Sequence, residues 1–196
     1  MKLVIATKNP GKLKEFKAIL GGEREVLGMC DAGVDVEVIE DGLTFEQNAL
    51  KKATEIMRLC GEVTIADDSG LCVDALSGAP GIYSARYADD LGFFHDDHQN
   101  NLKLLRNMEG VTDRSAQFVC ALAAAFPDGR THVVTAHFHG EIAHTMSGSG
   151  GFGYDVLFYL PEYGMTAAEI PADLKNKISH RAQAIAQMRD FLLPTP

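Results

Sequence analysis

No CxxC pair joins the four cysteines, Cys30, Cys60, Cys72 and Cys120, and no HExxH or comparable spacing orders the seven histidines. A structural zinc site, which needs clustered thiolates or imidazoles, has no ligand set to draw on. Nor does any apolar stretch reach the roughly 18 residues that a membrane span requires. The opening run, Lys2-Leu3-Val4-Ile5-Ala6, is too short for a secretory core and leads into lysines instead of a small-residue cleavage site. Free thiols without an export signal point to a reducing cytoplasm and to no membrane partner.

Positive charge is also scarce. Lys and Arg number 18 against 27 Asp and Glu, a formal net charge of -9 that repels a nucleic-acid backbone. A free nucleotide stays admissible, because it needs only a local basic cradle and can bring a divalent cation for the carboxylates to share. There is no internal repeat, low-complexity run or linker. What remains is 196 residues, 46% of them hydrophobic, enough for one domain over residues 1–196 with room for two lobes.

Residues 2 to 6 read as a strand buried on both faces. Residues 7 to 12 break it, and a helix follows with Leu13, Phe16, Ile19 and Leu20 on one face, stopped by Gly21-Gly22. Val34, Val36 and Val38, alternating with Asp35 and Glu37, predict a half-exposed strand that ends near Glu40. Thr44 and Gln47 form a capping box for a helix that buries Ala49, Leu50, Ala53, Ile56 and Met57 and stops at Gly61. A short strand over residues 63 to 66 runs into Asp67-Asp68-Ser69-Gly70, read as a turn. A helix is expected near residues 96 to 108, and Pro127-Asp128-Gly129 joins strands over 115 to 126 and 131 to 139. A Gly-rich loop over 148 to 153 leads into a strand over 156 to 160. The last helix starts near Ser179, carries Ile185, Met188, Phe191 and Leu192, and is ended by Pro194. This order predicts an α/β protein with a mixed sheet.

Four places carry residue types that do chemistry. The junction Thr7-Lys8-Asn9-Pro10-Gly11-Lys12 offers backbone N–H groups, a helix dipole and two lysines to an anion, although it is no Walker A loop; the plain alternative is a turn with solvated lysines. Asp67 and Asp68 repel each other unless a cation or donors offset them. With Glu40 they suit Mg²⁺, and a carboxylate there can take a proton from water; the alternative is a solvated turn. Being adjacent on a strand, the two point opposite ways, so one faces the site and the other is structural. In Gly150-Gly151-Phe152-Gly153-Tyr154-Asp155 the glycines let a flat ligand approach while a ring stacks, or the aromatics simply pack into the core. Ser179-His180-Arg181, preceded by Lys175 and Lys177, sets positive charge at a helix N-terminus, an arrangement that an anionic or carbonyl-bearing ligand explains. The remaining histidines and Asp89, Asp90, Asp96 and Asp97 read as surface or helix-start residues.

Thr7-Lys8-Asn9-Pro10-Gly11-Lys12, Phe45-Glu46-Gln47-Asn48-Ala49, Ala66-Asp67-Asp68-Ser69-Gly70-Leu71, Gly78-Ala79-Pro80-Gly81-Ile82-Tyr83-Ser84-Ala85-Arg86-Tyr87, Gly151-Phe152-Gly153-Tyr154-Asp155 and Ser179-His180-Arg181 together resemble the inosine triphosphate pyrophosphatase family in order and spacing. The resemblance implies an elongated, two-lobed α/β fold on a mixed sheet with flanking helices and the active site in the cleft between the lobes, usually as a homodimer. It implies Mg²⁺-dependent hydrolysis of dITP, ITP and XTP to the monophosphate and pyrophosphate, which keeps deaminated purines out of nucleic acids. Carried over by position, Thr7, Lys8, Asn9, Pro10, Gly11 and Lys12 hold the phosphates. Glu40 and Asp68 bind the metal, Asp68 accepts the proton and Ser69 touches substrate. Phe152, Gly153, Tyr154 and Asp155 line the base and sugar with Phe152 stacking, and Lys175, His180 and Arg181 complete the contacts. Donors from His180 and Arg181 suit the carbonyl at purine position 6, and an amine there leaves them unpaired at a cost on the order of 1 to 3 kcal/mol. The rival readings are a related pyrophosphatase for modified pyrimidine nucleotides and a purine nucleotide sensor that does not cleave.

Overall fold

The structure, a computed structural model, describes residues 2–22 and 24–192. Seven strands form one mixed sheet: β1 (Lys2–Ile5), β2 (Glu25–Gly28), β3 (Val63–Val73), β4 (Ser115–Ala125), β5 (Thr131–Ile142), β6 (Phe158–Leu160) and β7 (Met165–Thr166), in the order β2-β1-β3-β4-β5-β6-β7. β1 runs parallel to β2 and β3, whereas β5 with β6 and β6 with β7 are antiparallel. The helices are α1 (Pro10–Leu20), α2 (Phe45–Cys60), α3 (Asp97–Asn107), α4 (Ala172–Ile178) and α5 (His180–Leu192).

The described chain divides into two compact units. The first holds residues up to Asp68, Cys120–Ala136 and those from His180 onward. Alternation along its strands sorts side chains into two apolar layers. Leu3, Ile5, Val63, Ile65, Cys120 and Leu122 pack with Phe16 and Leu20 of α1 and with Ile185 and Met188 of α5. Val4, Ala6, Ala66, Ala121 and Ala123 pack with Ala49, Ala53 and Ile56 of α2. Cover on both faces is why these strands read as unbroken apolar runs. The second unit, Ser69–Val119 and His137–Ser179, has its own core, in which Leu71, Val73, Phe118 and Phe158 meet Leu104 of α3 and Met108 at its C-cap.

Several boundaries move. Residues 34 to 42 form no strand: Val34 and Val38 dip into the α2-side layer, but Val36 stays exposed with Asp35 and Glu37, so the alternation of residue types does not become an alternation of burial. Glu40 therefore lies on an irregular segment and not at a strand end. Asp67, Asp68, Ser69 and Gly70 make no turn, because β3 continues through them to Val73. Pro10, Gly11 and Lys12 form the first turn of α1, with Asn9 as its cap, and are not the loop before it. Half of the expected box at α2 forms: Thr44 Oγ1 accepts from Gln47 N, but the Gln47 side chain takes Leu43 N instead of the cap's own N–H. Residues 153 to 156 are a 3₁₀ turn, so β6 starts only at Phe158. β2, β7 and α4 were not anticipated, and the Pro194 expected to end α5 lies outside the described residues.

Candidate active site

Asp67 and Asp68 sit side by side on β3 and, as strand geometry requires, serve opposite faces of the sheet. Asp67 shares its face with Ile65 and so points toward α1 and α5. Lys12 Nζ donates to its Oδ1 at 2.5 Å, and Arg181 Nε donates to its Oδ2 at 2.7 Å. The Cys120 thiol donates to the same Oδ2 at 3.3 Å, and Arg181 Nη1 also bonds Glu15 of α1. Burial by itself would raise the Asp67 carboxyl, but the Arg181 and Lys12 charges outweigh it and hold the group well below the usual carboxylate range. Burial pushes the Cys120 thiol well up, so it stays a neutral donor. A fully buried carboxylate with two cations is a structural anchor, and here its anchored cations are the α1 lysine and the α5 arginine.

Asp68 points the other way, toward α2. Its Oδ2 is buried and finds no hydrogen-bond partner among the described residues. Its carboxyl is pushed up to about 6, chiefly by burial, with the Glu40 charge adding to the rise and Lys52, Lys12 and an Asn48 hydrogen bond opposing it. α2 holds Glu40 in place through a run of bonds. Lys52 Nζ pairs with Glu40, Lys51 Nζ reaches Asp41 Oδ1 at 2.7 Å, Gly42 N donates to Asn48 Oδ1 at 2.8 Å and Leu43 N donates to Gln47 Oε1 at 2.8 Å. A Cβ at Gly42 would lie 2.6 Å from that Asn48 oxygen, so glycine is required for the close approach. Lys52 Nζ also donates to the Asp67 carbonyl at 3.2 Å.

At the phosphate-type junction, Thr7 Oγ1 accepts from Asn9 N and Asn9 Oδ1 accepts from Lys12 N, each at 3.1 Å. This folds residues 7 to 9 over the start of α1, where helix N–H groups and dipole favour an anion. Lys12 is held inward by Asp67, whereas Lys8 is exposed and paired with Asp35 at 2.8 Å.

In the second unit, Phe152, Gly153, Tyr154 and Asp155 form a tight turn. Phe152 N donates to Asp155 Oδ2 at 2.9 Å, and Lys175 Nζ of α4 donates to the same oxygen at 2.5 Å while lying 5.0 Å from the Phe152 ring centre. Lys175 and Asp155 are both buried. At Gly151 (φ +69°) a Cβ would fall 2.0 Å from Asp155 Oδ2. Tyr154 is buried and its hydroxyl donates to the Ser84 carbonyl at 2.8 Å, so its ring is spent on the core while Phe152 stays partly exposed.

The Ham1 family model matches residues 3–191. The chain belongs to the Ham1 family. The Ham1 chain is 52% identical over 194 residues to a dITP/XTP pyrophosphatase of Listeria monocytogenes serotype 4b (strain F2365), covering 97% of this chain and 94% of that protein. It is 46% identical to the dITP/XTP pyrophosphatase of Geobacter sulfurreducens (strain ATCC 51573 / DSM 12127 / PCA) over 97% and 96% of the two chains. Among solved structures, the Staphylococcus aureus Ham1 protein matches with a TM-score of 0.86 at 43% identity and 98% coverage of each chain. The family resemblance drawn from the six motifs and the mixed α/β fold are borne out.

In this Ham1 chain, Lys12, Glu40, Asp68 and Arg181 of the expected set gather around β3 in the first unit, and Phe152, Gly153, Tyr154, Asp155 and Lys175 gather in the second. Ser69 is the β3 residue after Asp68, and His180 is buried at the start of α5. The positive charge of Arg181 at the α5 N-terminus needs no ligand to explain it, because Asp67 and Glu15 already offset it. Lys52, Asn48, Glu15 and Cys120 were missed. Asn48 and Lys52 lie one turn apart beside the apolar stripe of α2, a spacing that could have flagged them. Glu15 and Cys120 had no such signal.

Proposed function

We propose that this Ham1 chain is a Mg²⁺-dependent nucleoside-triphosphate pyrophosphatase acting on dITP, ITP and XTP, as the names of its relatives suggest for dITP and XTP. The observation that carries the reading is Asp68: a buried carboxylate with one oxygen that has no partner among the described residues, a raised proton affinity, and Glu40 and two lysines around it. Among the described residues no three His, Cys, Asp or Glu converge to cage a metal. Two carboxylates that leave the other positions to phosphate oxygens and water match the way Mg²⁺ is held. Glu40 and Asp68 would hold it, and when bound it neutralises phosphate charge and polarises the P–O bonds.

Thr7, Lys8, Asn9, Pro10, Gly11 and Lys12 take the phosphates, with the α1 dipole and Lys12 as the main attraction and exposed Lys8 as an outer charge. Asp68 accepts a proton from water as its oxygen bonds to the α-phosphorus. The bond to the bridging oxygen breaks, and pyrophosphate leaves with that oxygen. Lys52 holds Glu40 and lowers the proton affinity of Asp68. Phe152 stacks on the base, Gly153, Tyr154 and Asp155 shape the turn around base and sugar, and Lys175 and Ser69 contribute polar contacts. His180 and Arg181, both buried, face the 6-carbonyl, Arg181 while keeping its bonds to Asp67 and Glu15, and a 6-amino group offers no acceptor there. A homodimer in a reducing cytoplasm completes the proposal.

The test is pyrophosphate release with Mg²⁺ from dITP and XTP beside dGTP, dATP and dTTP at equal concentration. Fast release from the first two alone is expected. Release mainly from pyrimidines, or tight binding without release, would refute it.

A further inference from the structure

The run from Gly78 to Tyr87 and the α3 residues below it are not used by the chemistry above, yet they hold the aromatic turn. α3 grips Gly153 through both its backbone polar groups: Asp97 Oδ2 accepts from Gly153 N at 3.1 Å, and Asn101 Nδ2 donates to Gly153 O at 2.9 Å. Asn101 Nδ2 donates as well to the Asp97 carbonyl of its own helix at 2.7 Å. A second strut reaches the next residue, where Tyr154 Oη bonds the Ser84 carbonyl while Ser84 Oγ accepts from Leu71 N at 2.9 Å and donates to Gly81 O at 2.6 Å. Asp97, which reads from sequence as a helix-start charge, spends its carboxylate on a peptide 56 residues away.

Asn101 is a costly choice for folding alone. It is buried to 2% exposure in a helix interior, and its Oδ1 has no partner among the described residues. A buried amide left partly unsatisfied on a helix whose neighbours Leu104 and Met108 are core residues is disfavoured against an aliphatic side chain. What it supplies is orientation of one peptide. Gly153 is left-handed (φ +59°), a conformation glycine takes without steric cost, so its two hydrogen bonds to α3 select it from the many open to glycine and fix where Phe152 and Asp155 stand.

We infer that Asp97 and Asn101 are positioning residues that fix the turn of Phe152, Gly153, Tyr154 and Asp155, and that they set base discrimination without taking part in phosphate chemistry. The inference rests on the proposed function only for the identity of the base. Preorganised contacts are lost to a ligand when their support is loosened, and one net hydrogen bond corresponds to about a 3- to 10-fold change in affinity.

The experiment compares wild type with Asp97→Ala, Asp97→Asn and Asn101→Ala in two readouts. Amide hydrogen exchange at residues 152 to 155 of the nucleotide-free protein reports the clamp itself. KM and kcat for dITP, XTP and dGTP report its use. Asp97→Ala should speed exchange at Gly153, raise KM for dITP and XTP about 3- to 10-fold with kcat within about twofold, and narrow their advantage over dGTP by a similar factor. Asp97→Asn keeps an acceptor and should stay near wild type; Asn101→Ala should follow Asp97→Ala. Because Asp97 is exposed, its alanine variant decides the matter even where Asn101→Ala fails to fold. Unchanged exchange, or faster exchange with unaltered KM and selectivity, or a loss confined to kcat, overturns the inference. A wild type that releases no pyrophosphate from any of the nucleotides refutes the functional reading itself, a result distinct from a discriminating wild type with an indifferent Asp97→Ala.

Discussion

Replacing Asp68 with Asn should make the protein more stable and nearly inactive. The carboxyl rises from its ordinary 3.8 to about 6 in the folded chain, mainly because it is buried. At about 1.36 kcal/mol per tenfold change in proton affinity, ionising it at neutral pH costs the folded state about 3 kcal/mol. The sign follows from the direction. A carboxyl with a raised folded pKa is harmless below its unfolded value, and its penalty grows as pH climbs from about 4 to 6 and stays constant above. Asn carries no charge, keeps an oxygen for Asn48 and escapes the penalty. In metal-free buffer at pH 7, Asp68→Asn should therefore melt about 6 to 12 °C higher than wild type, and near pH 4 the two should converge. In the presence of Mg²⁺ and dITP, the same change should lower kcat about 10²- to 10⁴-fold, the contribution expected of a general base. Calorimetry at the two pH values and a pyrophosphate assay measure both effects. A variant that is no more stable at pH 7, or whose advantage is the same at pH 4, would refute the assignment of a destabilised buried carboxylate.

Two more outcomes follow from the residues flanking it. Lys52→Met removes a charge that lowers Asp68 and unpins Glu40, so the Asp68 carboxyl in metal-free protein should titrate above about 6 by carboxyl NMR, with turnover reduced; an unmoved titration would show that Lys52 does not act on it. Arg181→Met leaves Asp67 buried with half its compensation and Glu15 without its guanidinium, and should cost about 3 to 5 kcal/mol in chemical denaturation. Arg181→Lys should recover little of this, since one ammonium does not reproduce a planar fork set against two carboxylates; full recovery would refute the account.

Much of the scaffold was legible because it depends on local patterning. The helices α1, α2, α3 and α5, the strand β1 and the hairpin strands β4 and β5 follow apolar periods and stop signals in the chain itself. Failures came where pattern and partner disagree. Val34, Val36 and Val38 alternate, but a strand also needs a neighbouring edge. Asp67-Asp68-Ser69-Gly70 carries every mark of a turn, but the carboxylates find Lys12, Arg181 and Asn48, and with those partners the strand runs on through them.

The sequence by itself determined the family and most of the element order, and it put forward the groups proposed to bind phosphate, hold a cation and stack on a base, because these depend on residue type, order and spacing. Only the tertiary structure decided what surrounds each carboxylate. Adjacent residues on a strand face opposite layers, and the two layers here differ: α1 and α5 present a lysine and an arginine to Asp67, whereas one oxygen of Asp68 on the α2 side is buried with no partner among the described residues. Whether a carboxylate is an anchor or a base is a property of its surroundings, and those surroundings are assembled from helices as many as 114 residues away along the chain.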